Sequence, residues 1–238
     1  MERLLRRHGV IPVLGAWAFA ATASVAAVSC APPQTIPDRL SDSTFWSMIS
    51  EMSEPGGYFH SDNFVSNELG YQYVIPTLQA SVRRGGVYLG VGPDQNFTYL
   101  VALQPRIAFI VDIRRQNMLQ HLMYKALIEM SSDRAGFLSR LFARPWPVQP
   151  APGTSTDSLF TILGQIPADT ILYQQTLAAM LAHLTQRRGF PLNGADRGAI
   201  EYVNSAFFVA GPSLTYSSNA VRGFGRGMPS FAMLMTAA

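Results

Sequence analysis

Two short apolar runs, separated by a glycine-containing turn and a segment of helical pattern, constrain the fold of this chain more than any other feature. The first run is Val87–Val91 and the second is Ile107–Asp112. Runs that are apolar at nearly every position are typical of parallel strands covered on both faces. The pattern from 96 to 103 suits a helix that Pro105 closes. The sequence therefore predicts a parallel strand–helix–strand unit.

Most of the remaining chain has the apolar spacing of helices. Ser66 is expected to cap a helix that runs to about Arg83 and is kinked at Pro76. Beyond Asp112 apolar residues recur at helical spacing, and no further run is typical of a strand. We therefore expect an α/β fold with few parallel strands covered by many helices. Because the chain ends soon after a short helix that follows Pro229, we also expect an incomplete sheet and a half-open crevice.

The turn after the first run is a candidate nucleotide-binding loop. It reads Gly90-Val-Gly92-Pro-Asp94-Gln95, and Asp112 ends the second run. Two glycines let the backbone approach a ligand closely, and the N-terminus of the following helix favours anionic groups. An acid about 20 residues further on can accept hydrogen bonds from ribose hydroxyls. The alternative is a purely structural turn, with Asp112 capping the next helix.

This order of elements resembles the start of a Rossmann-like domain. Gln95 stands where a dinucleotide-binding loop has its third glycine, which counts against NAD or FAD. The loop is more similar to the first motif of class I S-adenosylmethionine-dependent methyltransferases, over residues 66–117. It departs from that motif at Tyr88, where an acid is usual, and at Asp94, where a glycine is usual. The residues from Asp62-Asn63 through Ser66-Asn67-Glu68 to Val111-Asp112-Ile-Arg-Arg115 also resemble a family of uncharacterised bacterial proteins with this Rossmann-like start, here apparently truncated at the C-terminus.

The resemblance implies S-adenosylmethionine as cofactor and assigns roles to the loop. Gly90, Gly92 and Asp94 would line the adenosyl or amino-acid end of the ligand, and Asp112 would hold the ribose. Four polar residues precede the first strand at the place where such folds often carry a lid: His60, Asp62, Asn63 and Glu68. The alternative is that Asp62 and Asn63 are turn residues and that His60 is half-exposed.

No residue has the spacing of a metal ligand or of a catalytic nucleophile. His121 and His183 lie within amphipathic helical patterns, and no serine is surrounded by a nucleophile elbow. We therefore assign no catalytic residue and no metal. The formal charge of +3 comes from basic residues interspersed with acidic ones, which argues against a nucleic-acid partner.

The N-terminus has the features of an export signal. Residues 1–8 carry three arginines, residues 9–28 carry no charge, and Ala27-Val28-Ser29-Cys30 resembles a bacterial lipobox, in which the cysteine is lipidated. An uncleaved transmembrane anchor or a plain signal peptide are the alternatives. Each of them places the protein body outside the cytoplasm, whereas translation from Met48 would leave it inside.

These observations divide the chain into three parts and leave three functions open. Residues 1–29 form the signal or anchor, 30–57 a tether with a first helix, and 58–238 the α/β domain. The leading hypothesis is a membrane-anchored exported protein with a divergent methyltransferase-like nucleotide-binding fold, whose activity is left open and whose ligand is a small molecule. The alternatives are a working methyltransferase and a non-catalytic binding or scaffolding lipoprotein.

Overall fold

The structure, a computed structural model, describes residues 36–217 and 227–237. Cys30 and the predicted signal or anchor lie outside the described residues. Among the helices within them, none combines the length and hydropathy that crossing a bilayer requires.

Helices dominate the described residues, and a single pair of strands interrupts them. In chain order the α-helices are α1 (Asp42–Met52), α2 (Ile75–Ser81), α3 (Gln95–Leu103), α4 (Arg115–Glu129), α5 (Arg134–Phe142), α6 (Thr156–Gln165), α7 (Thr170–Ala182), α8 (Gly194–Ala210) and α9 (Phe231–Thr236). Short 3-10 segments cover Gly70–Val74 and Gly211–Ser213, and a π-helical turn covers His183–Arg187.

The two strands are β1 (Val87–Val91) and β2 (Ile107–Val111), joined through α3. They pair in parallel, with Val87 opposite Ile107 and Val91 opposite Val111. In the described part of the chain the sheet has only these strands. The prediction of an α/β fold with few parallel strands and many helices is therefore confirmed.

Among the described residues no helix covers one face of this sheet, contrary to the prediction that helices cover both faces. α3 packs against β1 on the side of Gly90, which is buried. On the other side Leu89 is 75% exposed and Val91 is 65% exposed. The helices after β2 explain the difference, because α4 packs along α8 and against α5 and α7 instead of returning over the sheet.

The helix before β1 begins later than predicted. The Ser66 hydroxyl accepts a hydrogen bond from the Glu68 N–H and does not cap a helix. α2 starts at Ile75, and Pro76 lies in its first turn instead of kinking its middle. A proline lacks the N–H that an inner helical position needs, so the first turn is where it fits without loss of a hydrogen bond.

The hydrophobic core lies among the helices that follow the sheet. Its largest fully buried side chains include Phe142, Phe207, Met180 and Leu127. Phe64, which precedes the sheet, is also fully buried in this core. Its carbonyl accepts from the Gln120 amide at 2.6 Å, and its N–H donates to the carbonyl of Tyr216 at 2.9 Å. Phe64 thus ties the irregular segment before the sheet to the core.

An ion cluster around Glu129 joins the end of α4 to the π-helical turn. The Glu129 carboxylate accepts from Lys125 at 2.6 Å, from His183 at 2.7 Å and from Arg188 at 2.7 Å. Arg188 also pairs with Asp42 of α1 at 3.1 Å. Burial raises the pKa of Glu129, but these hydrogen bonds outweigh it and bring the value down to about 2.

Candidate functional site

The glycine loop joins β1 to α3, and each of its two glycines is required for a different reason. Gly92 adopts φ +83°, a conformation that side chains disfavour. Gly90 has no room for a side chain, because a Cβ there would overlap Asn96 Oδ1 and the Tyr88 ring. The loop therefore depends on both glycines for its conformation and packing, whatever it binds.

The carbonyl groups of this loop already have partners within the protein. The buried Asn96 amide donates to the carbonyls of Gly92 at 3.0 Å and Pro93 at 2.8 Å. His121 Nε2 lies 3.1 Å from the Gly92 carbonyl. Burial lowers the pKa of His121, so a neutral ring donates its proton to that oxygen. Side chains of α3 and α4 therefore fix the loop through its carbonyl groups.

Asp112, the predicted ribose ligand, is bound by Arg114. Its Oδ1 accepts from the Arg114 N–H at 2.8 Å and from Nε at 3.0 Å, and its Oδ2 accepts from Nη2 at 3.1 Å. Arg114 also donates to the carbonyls of Ser61 and Asp62. Both charged side chains are nearly buried, with 7% and 8% exposed. The alternative role, capping the following helix, is not observed either, because the cap position of α4 is Arg114.

The predicted lid residues do not form one group. Asp62 accepts from the Tyr202 hydroxyl at 2.9 Å and from Ser217 at 3.0 Å, which links it to α8 and to the segment after it. Asn63 adopts φ +50° in a segment without regular secondary structure. His60 is exposed, with its ring 4.4 Å from that of Phe59, and Glu68 is also exposed. Of these four residues, only Asp62 is linked to Asp112, because Arg114 donates both to the Asp62 carbonyl and to the Asp112 carboxylate.

Asp94, in the same loop, is almost fully buried, at 4% exposure. Its Oδ1 accepts from the Ser66 N–H at 2.9 Å. Its Oδ2 has no hydrogen-bond partner among the described residues. Burial raises the pKa of Asp94 to about 6, and backbone hydrogen bonds from Asp94 itself and Ser66 only partly oppose this. Buried carboxylate oxygens without a partner are rare and call for an explanation.

Asp94 lines a cavity of about 480 Å³ between α3, α4, α5 and α9. Most of the lining is apolar and comes from Phe97, Tyr124, Ile128, Phe137, Phe231 and Met235. No pattern in the sequence groups these residues. Their helical spacing marks them as core residues, and no local pattern indicates that α9 closes this cavity.

A metal centre and a wider groove are the alternatives to this site among the described residues. There, no cluster of His, Cys, Asp or Glu is suited to hold a metal ion. A wider groove of about 970 Å³ lies between Trp146 and Ile171, but its carboxylate, Asp169, accepts from the Leu172 N–H and caps α7.

Comparison with known proteins adds one family match. A family model described as a domain of unknown function (DUF7790) matches residues 63–144. This range contains β1, α3, β2, α4 and α5, and with them the glycine loop, Asp94 and Asp112. No curated protein and no solved structure matches the chain.

Proposed function

We propose that this chain is an exported, membrane-anchored binding protein without catalytic activity, in which β1, α3 and β2 form a divergent Rossmann-like framework. The observation that carries this proposal is the pairing of Asp112 with Arg114. In a nucleotide-binding unit the acid at the end of the second strand needs free oxygens for the ribose. Here both oxygens of Asp112 accept from Arg114.

Displacing the Arg114 guanidinium from Asp112 would cost free energy. Its guanidinium is 7% exposed and holds the carbonyls of Ser61 and Asp62 as well as the carboxylate of Asp112. Removing one partner of such a pair leaves an uncompensated buried charge. A ribose would therefore have to replace a charge-assisted pair with neutral hydroxyl groups, which favours a structural role for Asp112.

A working S-adenosylmethionine-dependent methyltransferase is the second candidate. The order of strand, glycine turn, helix and strand favours it, together with the positive φ of Gly92. In that function the cofactor would meet Gly90, Gly92, Asp94 and Asp112. Asp94 fits such a role poorly, because it faces a cavity formed by the helices and bonds to Ser66.

Titration with S-adenosylmethionine and with its homocysteine product separates the two functions. We expect no binding by calorimetry, which means a Kd above about 1 mM for both ligands. Asp112→Asn provides the matched variant, since a ribose site would lose affinity with it. Micromolar binding to the wild-type chain that this variant weakens would overturn the proposal and restore the methyltransferase function.

The membrane anchor in this proposal rests on Cys30 and the uncharged segment before it. A diacylglycerol and an added acyl chain supply enough methylene groups for stable anchoring, whereas one chain alone binds marginally. Mass spectrometry of the mature protein should find a lipidated Cys30 at its N-terminus, and Cys30→Ser should leave the precursor unprocessed. An unmodified Cys30 in the mature protein would exclude the lipid anchor.

A further inference from the structure

The cavity beside α3 has the lining of a small-molecule site. Its volume, about 480 Å³, lies within the usual range for cavities that bury a small ligand. Aromatic rings approach it from three helices, with Phe97 on α3, Tyr124 on α4 and Phe231 on α9. Sites of this kind combine an apolar lining with a few polar groups that orient the ligand.

Asp94 is the lining residue of this cavity that has a buried oxygen without a partner among the described residues. Thr98 lies 3.3 Å from the Tyr71 hydroxyl, and the Ser131 hydroxyl donates to the Leu127 carbonyl at 2.7 Å. The Asp133 carboxylate accepts from the Gly136 N–H, where it caps α5. Among the described residues the second oxygen of Asp94 accepts from nothing.

The remaining polar lining groups do not neutralise Asp94. The Arg134 guanidinium donates to the Thr154 carbonyl, and no ion pair joins it to Asp94 in the described part of the chain. The Tyr124 hydroxyl accepts from Gln120 at 3.3 Å. Within the described residues no cation pairs with the buried Asp94, so the cavity selects against anionic ligands and for cationic ones.

We propose that this cavity binds a small organic amine, whose ammonium group donates to Oδ2 of Asp94 and whose apolar body packs against Phe97, Tyr124 and Phe231. An ammonium group would satisfy the unpartnered oxygen and compensate the buried charge in one contact. The aromatic rings suit the apolar body and are also attractive to a cation. This inference deepens the proposed binding function by naming a ligand class.

The test compares 2-phenylethylamine with 2-phenylethanol, which has the same apolar body and no charge. With the full chain at pH 7.5, calorimetry should give the amine at least about tenfold higher affinity than the alcohol, as expected for a charge-assisted hydrogen bond. Equal affinity for the two, or no binding of the amine, would overturn the proposal. This comparison needs only the wild-type chain, so it is decisive even if a variant fails to fold.

Two variants then locate the contact. Asp94→Asn keeps the acceptor for Ser66 and removes the charge, so amine affinity should fall to the level of the alcohol while alcohol affinity stays unchanged. Asp157→Asn removes an exposed charge from α6, outside the cavity. We expect it to change amine affinity by less than about twofold, because exposed charges are screened by solvent and salt. Equal loss in both variants would contradict a direct contact with Asp94. These titrations are independent of those with S-adenosylmethionine, so either proposal can fail alone.

Discussion

The Tyr88 side chain lies across Gly90, two positions further along the same strand, and its hydroxyl donates to Asn96 Oδ1 at 2.8 Å. This contact occupies the space that a Cβ at position 90 would need. Gly90→Ala should therefore lower the free energy of unfolding by about 2 kcal/mol, the usual cost of overpacking. Gly198→Ala in α8 is the matched control, since a Cβ there meets nothing within 4 Å. Denaturant unfolding should show that control to be stabilised by about 0.5–1 kcal/mol. Equal effects of the two substitutions would show that the loop adapts to a side chain.

The pairing of Arg114 with Asp112 predicts a stability defect in Asp112→Ala. The substitution leaves a nearly buried guanidinium without its carboxylate, which typically costs about 3 kcal/mol. Asp38→Ala removes the partner of Arg106 at the surface, where Asp38 is 94% exposed, and it should have little effect. Urea unfolding of both variants measures the difference. If Asp112→Ala were as stable as the surface variant, Arg114 would not depend on Asp112, and the main argument against a ribose site would be lost.

The buried carboxyl of Asp94 predicts a stability that decreases as the pH rises. Its folded pKa of about 6 lies above the ordinary value of 3.8, so the folded state holds the proton more tightly than the unfolded state. Stability from this group is therefore present below pH 4 and is lost as the pH rises through 6, by at most about 3 kcal/mol. Asp94→Asn should be more stable than the wild-type chain at pH 8, and the gain should shrink toward pH 4. Urea unfolding across this range measures the gain, and one that does not vary with pH would contradict the burial of a charge at this position.

Glu129 predicts the opposite pH dependence. Burial raises its pKa, but the hydrogen bonds from Lys125, His183 and Arg188 have a larger, opposite effect. The pKa is therefore about 2, below the ordinary value of 4.5. Its contribution is present above pH 4.5 and is lost as the pH falls toward 2. Glu129→Gln should lower the free energy of unfolding by about 2–3 kcal/mol at pH 7 and by less at pH 3. The exposed Glu201→Gln in the same assay should stay within about 0.5 kcal/mol of the wild-type chain. A constant deficit at both pH values would show that the cluster does not depend on the charge of Glu129.

The strands and the glycine turn are readable from the sequence because their signals are local. Continuous apolar runs give β1 and β2, and the turn between them contains the glycine that adopts a positive φ. The prediction that Ser66 caps a helix is wrong. A serine is a common capping residue, but here its N–H donates to Asp94, 28 positions later. The pairing of Arg114 with Asp112 is also local, but a terminal acid looks the same whether it is free or paired. The Asp94 cavity leaves no local signal, since α9 closes it from a distant part of the chain.

The anchoring of Phe64 has a consequence for how this chain folds. Its N–H needs the carbonyl of Tyr216, and the neighbouring Asp62 accepts from Ser217, 155 positions later. A ribosome produces the early segment long before these partners exist, and contacts of such high sequence separation form slowly. We therefore expect the segment around Phe64 to become ordered late in folding. Its aromatic ring would then stay accessible to chaperones and proteases until the chain has completed α8 and the segment after it.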